Sequence, residues 1–287
     1  METETHYPPS AIRKTPRETV QLEDFSISGP VGPISLRLYR PTAPISALPL
    51  VLYFHGGGFI GGSIDDADVP ASFIAERCPA LVLAVGYALA PARPFPAAPE
   101  DAHCAALWAI DNIERFGGDA RRLAVAGDDA GGNLAASLTM IARDRHCPTI
   151  AAQVLIGPML DPSMTRLGDG ARLNSDVTAA TCAERYRGYL PDSRQRMHPY
   201  ASPLVSVRQA GLPPALIITA GCDVLYNEAE KYAAALIGAG VPTQVVRYAG
   251  ITHSALVHHR PALDEIAYFL RHWLGESDLV NPTDQTE

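Results

Sequence analysis

Five short apolar runs without alternation punctuate this chain: "LPLVLYF" (48–54), "ALVLAVGY" (80–87), "RLAVAG" (122–127), "AAQVLIG" (151–157) and "PALIITAG" (214–221). Runs of this kind fit strands buried on both faces, as the inner strands of a parallel sheet are. Between them lie segments of helical length, 99–115, 131–144, 226–237 and 261–274. Repeated alternation of strand and helix implies a mostly parallel sheet covered on both sides. Upstream, "ISLRLY" sets Ile34, Leu36 and Leu38 on one face and Ser35 and Arg37 on the other, which reads as a half-exposed antiparallel strand stopped by Pro41 and Pro44.

A chain of 287 residues is near the upper limit for one hydrophobic core, so one domain with an insertion, or two small lobes, would fit; a single domain over 1–287 is the expectation. The segment from Asp161 to about Ser202 breaks the strand–helix rhythm. It is polar and carries Arg166, Arg172, Arg185, Arg187, Arg194 and Arg196. Lying between two strands, it reads as an insertion above the C-terminal edge of the sheet, where such folds place their ligand crevice. The formal net charge of -8 is spread without a basic run, which argues against nucleic acid or an anionic membrane as partner. No apolar run reaches the roughly 18 residues of a membrane span, and the N-terminus lacks the apolar core of a signal peptide, so a cytoplasmic protein is expected. Cys78, Cys104, Cys147, Cys182 and Cys222 are odd in number and far apart, which suits neither a disulfide framework nor a zinc cluster. No metal site and no cofactor are expected; the expected partner is a small-molecule substrate.

Four motifs follow strands in chain order. "FHGGGF" (54–59) offers backbone N–H groups to a ligand oxygen. "GDDAGG" (127–132) runs from strand to helix and puts Asp129 at a strained turn, while "GCDVLYNE" supplies Asp223 and "YAGITHSAL" supplies His253, each just beyond a strand. Nucleophile, acid, histidine is the chain order of the α/β-hydrolases.

With "HGGGF", "LAPARPFPAAPED", "GDDAGGNLAA", "HPYASPL", "GLPPALIITAGCDVL" and "YAGITHSAL" all in register, the sequence from about 34 to 274 resembles the bacterial branch of the hormone-sensitive lipase family. The resemblance implies an α/β-hydrolase fold: a mostly parallel eight-stranded sheet, helices on both faces and a small helical cap from residues 1 to about 25 and about 161–202. It implies His253 as general base, Asp223 as its orienter, and the N–H groups of Gly57, Gly58 and Ala130 as the oxyanion hole. Only 54 residues precede "HGGGF", so the N-terminal cap is expected to be reduced. The last helix and an edge strand, common dimer surfaces in that family, leave a homodimer open. Phe59, Tyr186 and Tyr189 are candidate pocket residues. The two tyrosines, spaced i,i+3, could face the crevice as proton donors, although Tyr189 stands where the family often has an aromatic that packs the cap.

The departure lies at the elbow, where the family has serine and this chain has Asp129. A carboxylate is ionised near neutral pH and attacks unaided. Attack on a saturated carbon, as in an epoxide, leaves an ester on Asp129 that His253 and the hole can hydrolyse. Attack on an ordinary ester would form an anhydride and expel a far more basic alkoxide, which is unfavourable. Two readings follow: a hydrolase of small apolar molecules with epoxide-hydrolase-like chemistry, or an esterase scaffold in which an Asp129 oxygen fills the hole and the pocket binds a ligand. Trp108 and Trp273, the residues that could hold a halide, fall on helices in the body of the fold. The other histidines and the insertion's arginines read as packing and solvated surface, and Asp128 as structural.

Overall fold

The computed structural model describes residues 12–13, 19–42 and 47–275. One sheet organises them, in the order β1 (Ile12–Arg13), β2 (Val20–Ser28), β3 (Pro33–Pro41), β5 (Leu81–Gly86), β4 (Leu48–Phe54), β6 (Gly118–Asp128), β7 (Ala152–Ile156), β8 (Ala215–Cys222), β9 (Thr243–Thr252). Pairing is parallel from β5 through β4, β6, β7 and β8 to β9, and antiparallel among β1, β2, β3 and β5. The expected eight strands are β2 to β9, and β1 adds a two-residue edge.

Every residue of β4 and β7 is buried, which is why those runs do not alternate. Successive side chains point to opposite faces, each covered by its own layer. Leu50, Leu52 and Phe54 pack with residues of α2 (Ala97–Asn112), α3 (Ala130–Arg145) and α6 (Tyr226–Gly238), whereas Val51 and Tyr53 pack with α1 (Asp68–Arg77) and α8 (Arg260–Leu274). At about 25 cal/mol per Å² of apolar surface, the two layers are the main force that holds the sheet in place.

The described part of the expected N-terminal cap differs from the expectation. Val20 to Phe25 belong to β2 and pair with β3 from Pro41 back to Leu36. The alternating burial of Val20 and Leu22 around Gln21 is a strand pattern, and sheet pairing satisfies backbone groups that a loose arm would leave to water. Residues 1–11 and 14–18 of that cap lie outside the described part of the chain. Between β7 and β8 the chain forms α4 (Gly170–Leu173), α5 (Ala179–Tyr189) and short 3-10 turns. Helix α5 is capped by Thr178, whose side chain accepts from the Thr181 N–H. After β9 come α7 (His253–Leu256) and α8. Trp108 packs with Phe25 and Phe116, and Trp273 with Phe269, both on helices of the body as expected. Because β4, β6, β8 and β9 run in parallel, the chain leaves all four at one edge of the sheet, and the motifs of the sequence meet there.

Candidate active site

The turn from β6 into α3 holds Asp129 at φ 52°, ψ -116°. A non-glycine residue in that region is strained, and the surrounding packing sustains it. A Cβ on Gly131 would stand 1.9 Å from the Phe54 carbonyl oxygen, so only glycine lets α3 begin this close to β4. The strained turn pushes the Asp129 side chain towards the glycine loop that follows β4.

The two oxygens of Asp129 have different surroundings. Oδ2 accepts from the N–H groups of Gly57 (3.0 Å) and Gly58 (2.8 Å). It also lies 3.5 Å from a terminal guanidinium nitrogen, Nη1, of Arg185 on α5. Oδ1 is buried, has no hydrogen-bond partner among the described residues, and stands 3.7 Å from Nε2 of His253. Ala130, at the first position of α3, is not among the donors to Asp129 in the described hydrogen bonds.

His253 begins α7, directly after β9. Its Nδ1 lies 2.8 Å from Oδ2 of the fully buried Asp223, whose Oδ1 accepts from the Leu225 N–H. Burial disfavours the charged ring, but the hydrogen bond and charge of Asp223, with Asp129 and Asp128 behind, push His253 up to about 9. Imidazolium is therefore the form present at neutral pH. Asp128 accepts from the Tyr53 hydroxyl (2.8 Å). Burial raises its carboxyl to about 7, with the Asp129 charge adding to the effect and the Tyr53 hydrogen bond and His253 opposing it. His55 stacks on Tyr87, whose hydroxyl donates to the His55 carbonyl, so this residue braces the glycine loop.

Three candidate pocket residues lie elsewhere than expected. Phe59 stacks on Tyr189 at 3.8 Å between centroids, Tyr186 lies against the same ring, and all three are buried and absent from the lining of the cavity in front of Asp129. Burying such large rings between cap helix and glycine loop gains more than exposing them to a crevice. The cavity is about 530 Å³. Val69, Ile156 and Val257 form its apolar wall, and Asp66, Arg185 and His258 lie among the polar residues, so the lining is mixed.

Two residues of the insertion reach the site without having stood out in the sequence. Asp176 accepts from the backbone N–H groups of His253 (3.0 Å) and Ser254 (3.1 Å) and from the Ser254 hydroxyl. Arg185, one of the insertion's arginines that the sequence reads as solvated surface, has a side chain only 23% exposed that crosses over Gly58. One signal was available: Cys182, Arg185, Tyr186 and Tyr189 form a single helical stripe, so a helix that buries the other three must carry Arg185 inward.

A family model described as alpha/beta hydrolase fold matches residues 51–257. An esterase, LipI, of Mycobacterium tuberculosis is 39% identical over 263 residues, covering 85% of this chain and 82% of its own. An ethyl acetate hydrolase of Pseudomonas putida is 37% identical over 241 residues, covering 81% and 74%. Among solved structures, an esterase of Pyrobaculum calidifontis superposes with a TM-score of 0.82 at 39% identity over 88% of this chain and 84% of that one. EstE1, a thermostable carboxylesterase cloned from a metagenomic library, gives 0.84 at 34% identity over 93% and 91%.

Proposed function

The chain belongs to the alpha/beta hydrolase fold family matched over residues 51–257, among esterases and carboxylic ester hydrolases, and on that premise we propose that the ester it hydrolyses is one formed on its own Asp129. The observation that carries this reading is the unequal placement of the Asp129 oxygens. Oδ2 rests in the hole while Oδ1 is left bare beside the histidine. The substrate class that fits is a small electrophile with a reactive saturated carbon, an epoxide above all, and with an apolar body to lie along Val69, Ile156 and Val257.

In the first step Oδ1 attacks a ring carbon. The carbon–oxygen bond of the ring breaks, its electron pair goes to the ring oxygen, and that oxygen takes the proton from Nε2 of His253. The neutral ring now faces an alkyl ester in place of a carboxylate. With the negative charge of Asp129 gone, part of what favoured imidazolium is removed and His253 can serve as a base. In the second step His253 takes a proton from water as the water oxygen attacks Cγ of Asp129. Charge then develops on Oδ2, which already lies in the hole. Collapse releases a diol; the proton it needs and the one left on the carboxyl are exchanged through His253, restoring carboxylate and imidazolium.

Simple acyl esters are poor substrates on this reading, because Oδ2 occupies the position a substrate carbonyl oxygen would need. Single turnover of an aryl epoxide in water labelled with heavy oxygen, followed by mass analysis of the Asp129 peptide, tests it. Label in the Asp129 side chain is the expected result. Turnover without label would overturn the covalent route, and ligand binding without turnover, unchanged in His253→Ala, would favour a binding role for the pocket.

A further inference from the structure

We infer that Arg185, brought in from the cap helix, is the third donor of the oxyanion hole and acts on the breakdown of the Asp129 ester, an inference that rests on the covalent route above. Its Nη1 is buried, has no hydrogen-bond partner among the described residues, and stands 3.5 Å from Oδ2. A guanidinium kept for charge balance alone would close on the carboxylate to about 2.7–2.9 Å and pair with it in bidentate fashion. Here the two backbone N–H groups have closed to hydrogen-bond distance and the arginine has not. A buried donor left short of its acceptor is costly in the ground state, and that cost is recovered if the contact forms when charge grows on Oδ2.

The local structure fits a residue placed for this purpose. Gly58 has φ 61°, and a Cβ there would stand 2.0 Å from Cδ of Arg185, so the glycine that supplies one N–H also admits the arginine over the same oxygen. Helix α5 is fixed beneath by the Phe59–Tyr189 stack, and a Cβ at Gly188 would come within 2.9 Å of Ile60, which holds the helix close to the loop. The cap thereby supplies a cationic donor at a position where Ala130 makes no bond to Asp129.

Ester breakdown would then use Arg185 as follows. Water adds to Cγ of Asp129 and gives its proton to His253, and the carbonyl electron pair moves onto Oδ2. Gly57, Gly58 and Nη1 of Arg185 receive that charge together. The carbonyl re-forms as the Cγ–Oδ1 bond breaks, and Oδ1 leaves on the substrate carbon as an alcohol, taking a proton relayed by His253.

The test is rapid-quench mass analysis of the intact protein with styrene oxide as probe, comparing the parent with Arg185→Gln and Arg185→Lys. In Arg185→Gln, breakdown of the Asp129 ester should slow about 100-fold. Its formation should change less than about threefold, so the adduct accumulates. Lysine should restore part of the rate, since it returns the charge without the planar fork. Equal slowing of formation and breakdown, or breakdown unchanged in both variants, would overturn the inference while leaving the covalent route standing. If no adduct forms in the parent, the covalent route fails by itself, and Arg185 is read in Asp129→Ser, where serine leaves the hole free for an acyl oxygen. Loss of kcat on p-nitrophenyl acetate when Arg185→Gln is added, with KM little changed, supports the third donor; equal rates with and without Arg185, or no hydrolysis in either, overturn it.

Discussion

The N–H of Gly58 donates to Oδ2 of Asp129 over 2.8 Å, so the donor that a serine hydrolase would reserve for its substrate is already engaged by the side chain of the elbow. With the Gly57 N–H on the same oxygen, it separates the site from a serine site of the same architecture. On the function proposed above, the hole thereby holds the protein's own carboxylate in place of a substrate oxygen.

Asp129→Ser should therefore open the hole and raise hydrolysis of short acyl esters well above the parent's rate, measured as p-nitrophenol release. Asp129→Asn keeps an acceptor for Gly57 and Gly58 but removes the attacking carboxylate. Covalent adduct and epoxide turnover should fall by at least about 10³-fold while the melting temperature changes little.

The raised proton affinity of His253 sets a pH dependence whose sign is definite. Its folded value, about 9, exceeds the unfolded 6.5, so its contribution to stability is fully present below 6.5 and is lost as pH rises through about 9. Asp128 acts in the same direction lower down, between 3.8 and about 7. In denaturant midpoints measured from pH 4 to 10, Asp128→Asn should remove the decline that Asp128 contributes to the lower window, where His55, pushed down by burial, acts in the opposite direction. Formation of the Asp129 ester, which uses imidazolium as acid, should fall above about pH 9. Asp223→Asn should move that limb to lower pH and cost roughly 10²–10⁴-fold in kcat.

Asp176→Ala removes the acceptor shared by the N–H groups of His253 and Ser254. Because the acid is exposed, water replaces part of what is lost, and the stability cost should be about 1 kcal/mol. The larger effect should appear in kcat, since the histidine is carried on those two peptide units. Reduced kcat with KM unchanged is the expected pattern, and unchanged kcat would show that Asp223 alone is enough to hold the ring.

Gly131→Ala would press a methyl group against the Phe54 carbonyl oxygen at 1.9 Å, a backbone atom of a buried strand that cannot yield cheaply. A loss of about 2–3 kcal/mol is expected, read as a lower denaturant midpoint, together with weaker adduct formation as the elbow shifts.

The parts of this protein that were legible in its sequence are those encoded within one segment. Unalternating runs marked β4 to β8 because burial on both faces is a property of each strand, and the glycine-bounded elbow marked Asp129 because its conformation depends on a few neighbouring residues. The chain order of Asp129, Asp223 and His253 placed them at one edge once the strands were parallel. What the Tyr186–Tyr189 spacing left open was which side of α5 is covered. Helical period defines a stripe but not the surface it meets, and the contact with Phe59 carried the stripe, and Arg185 with it, inward. Asp176 gave no local sign, because its role consists of three bonds to residues 253 and 254. The inner strands, the elbow and the three residues that meet beside it were thus readable segment by segment, whereas β2 was hidden under an expected cap. Which Asp129 oxygen faces Gly57 and Gly58, which one lies beside His253 and which arginine stands over them came from the folded chain, because those are contacts between segments far apart in sequence.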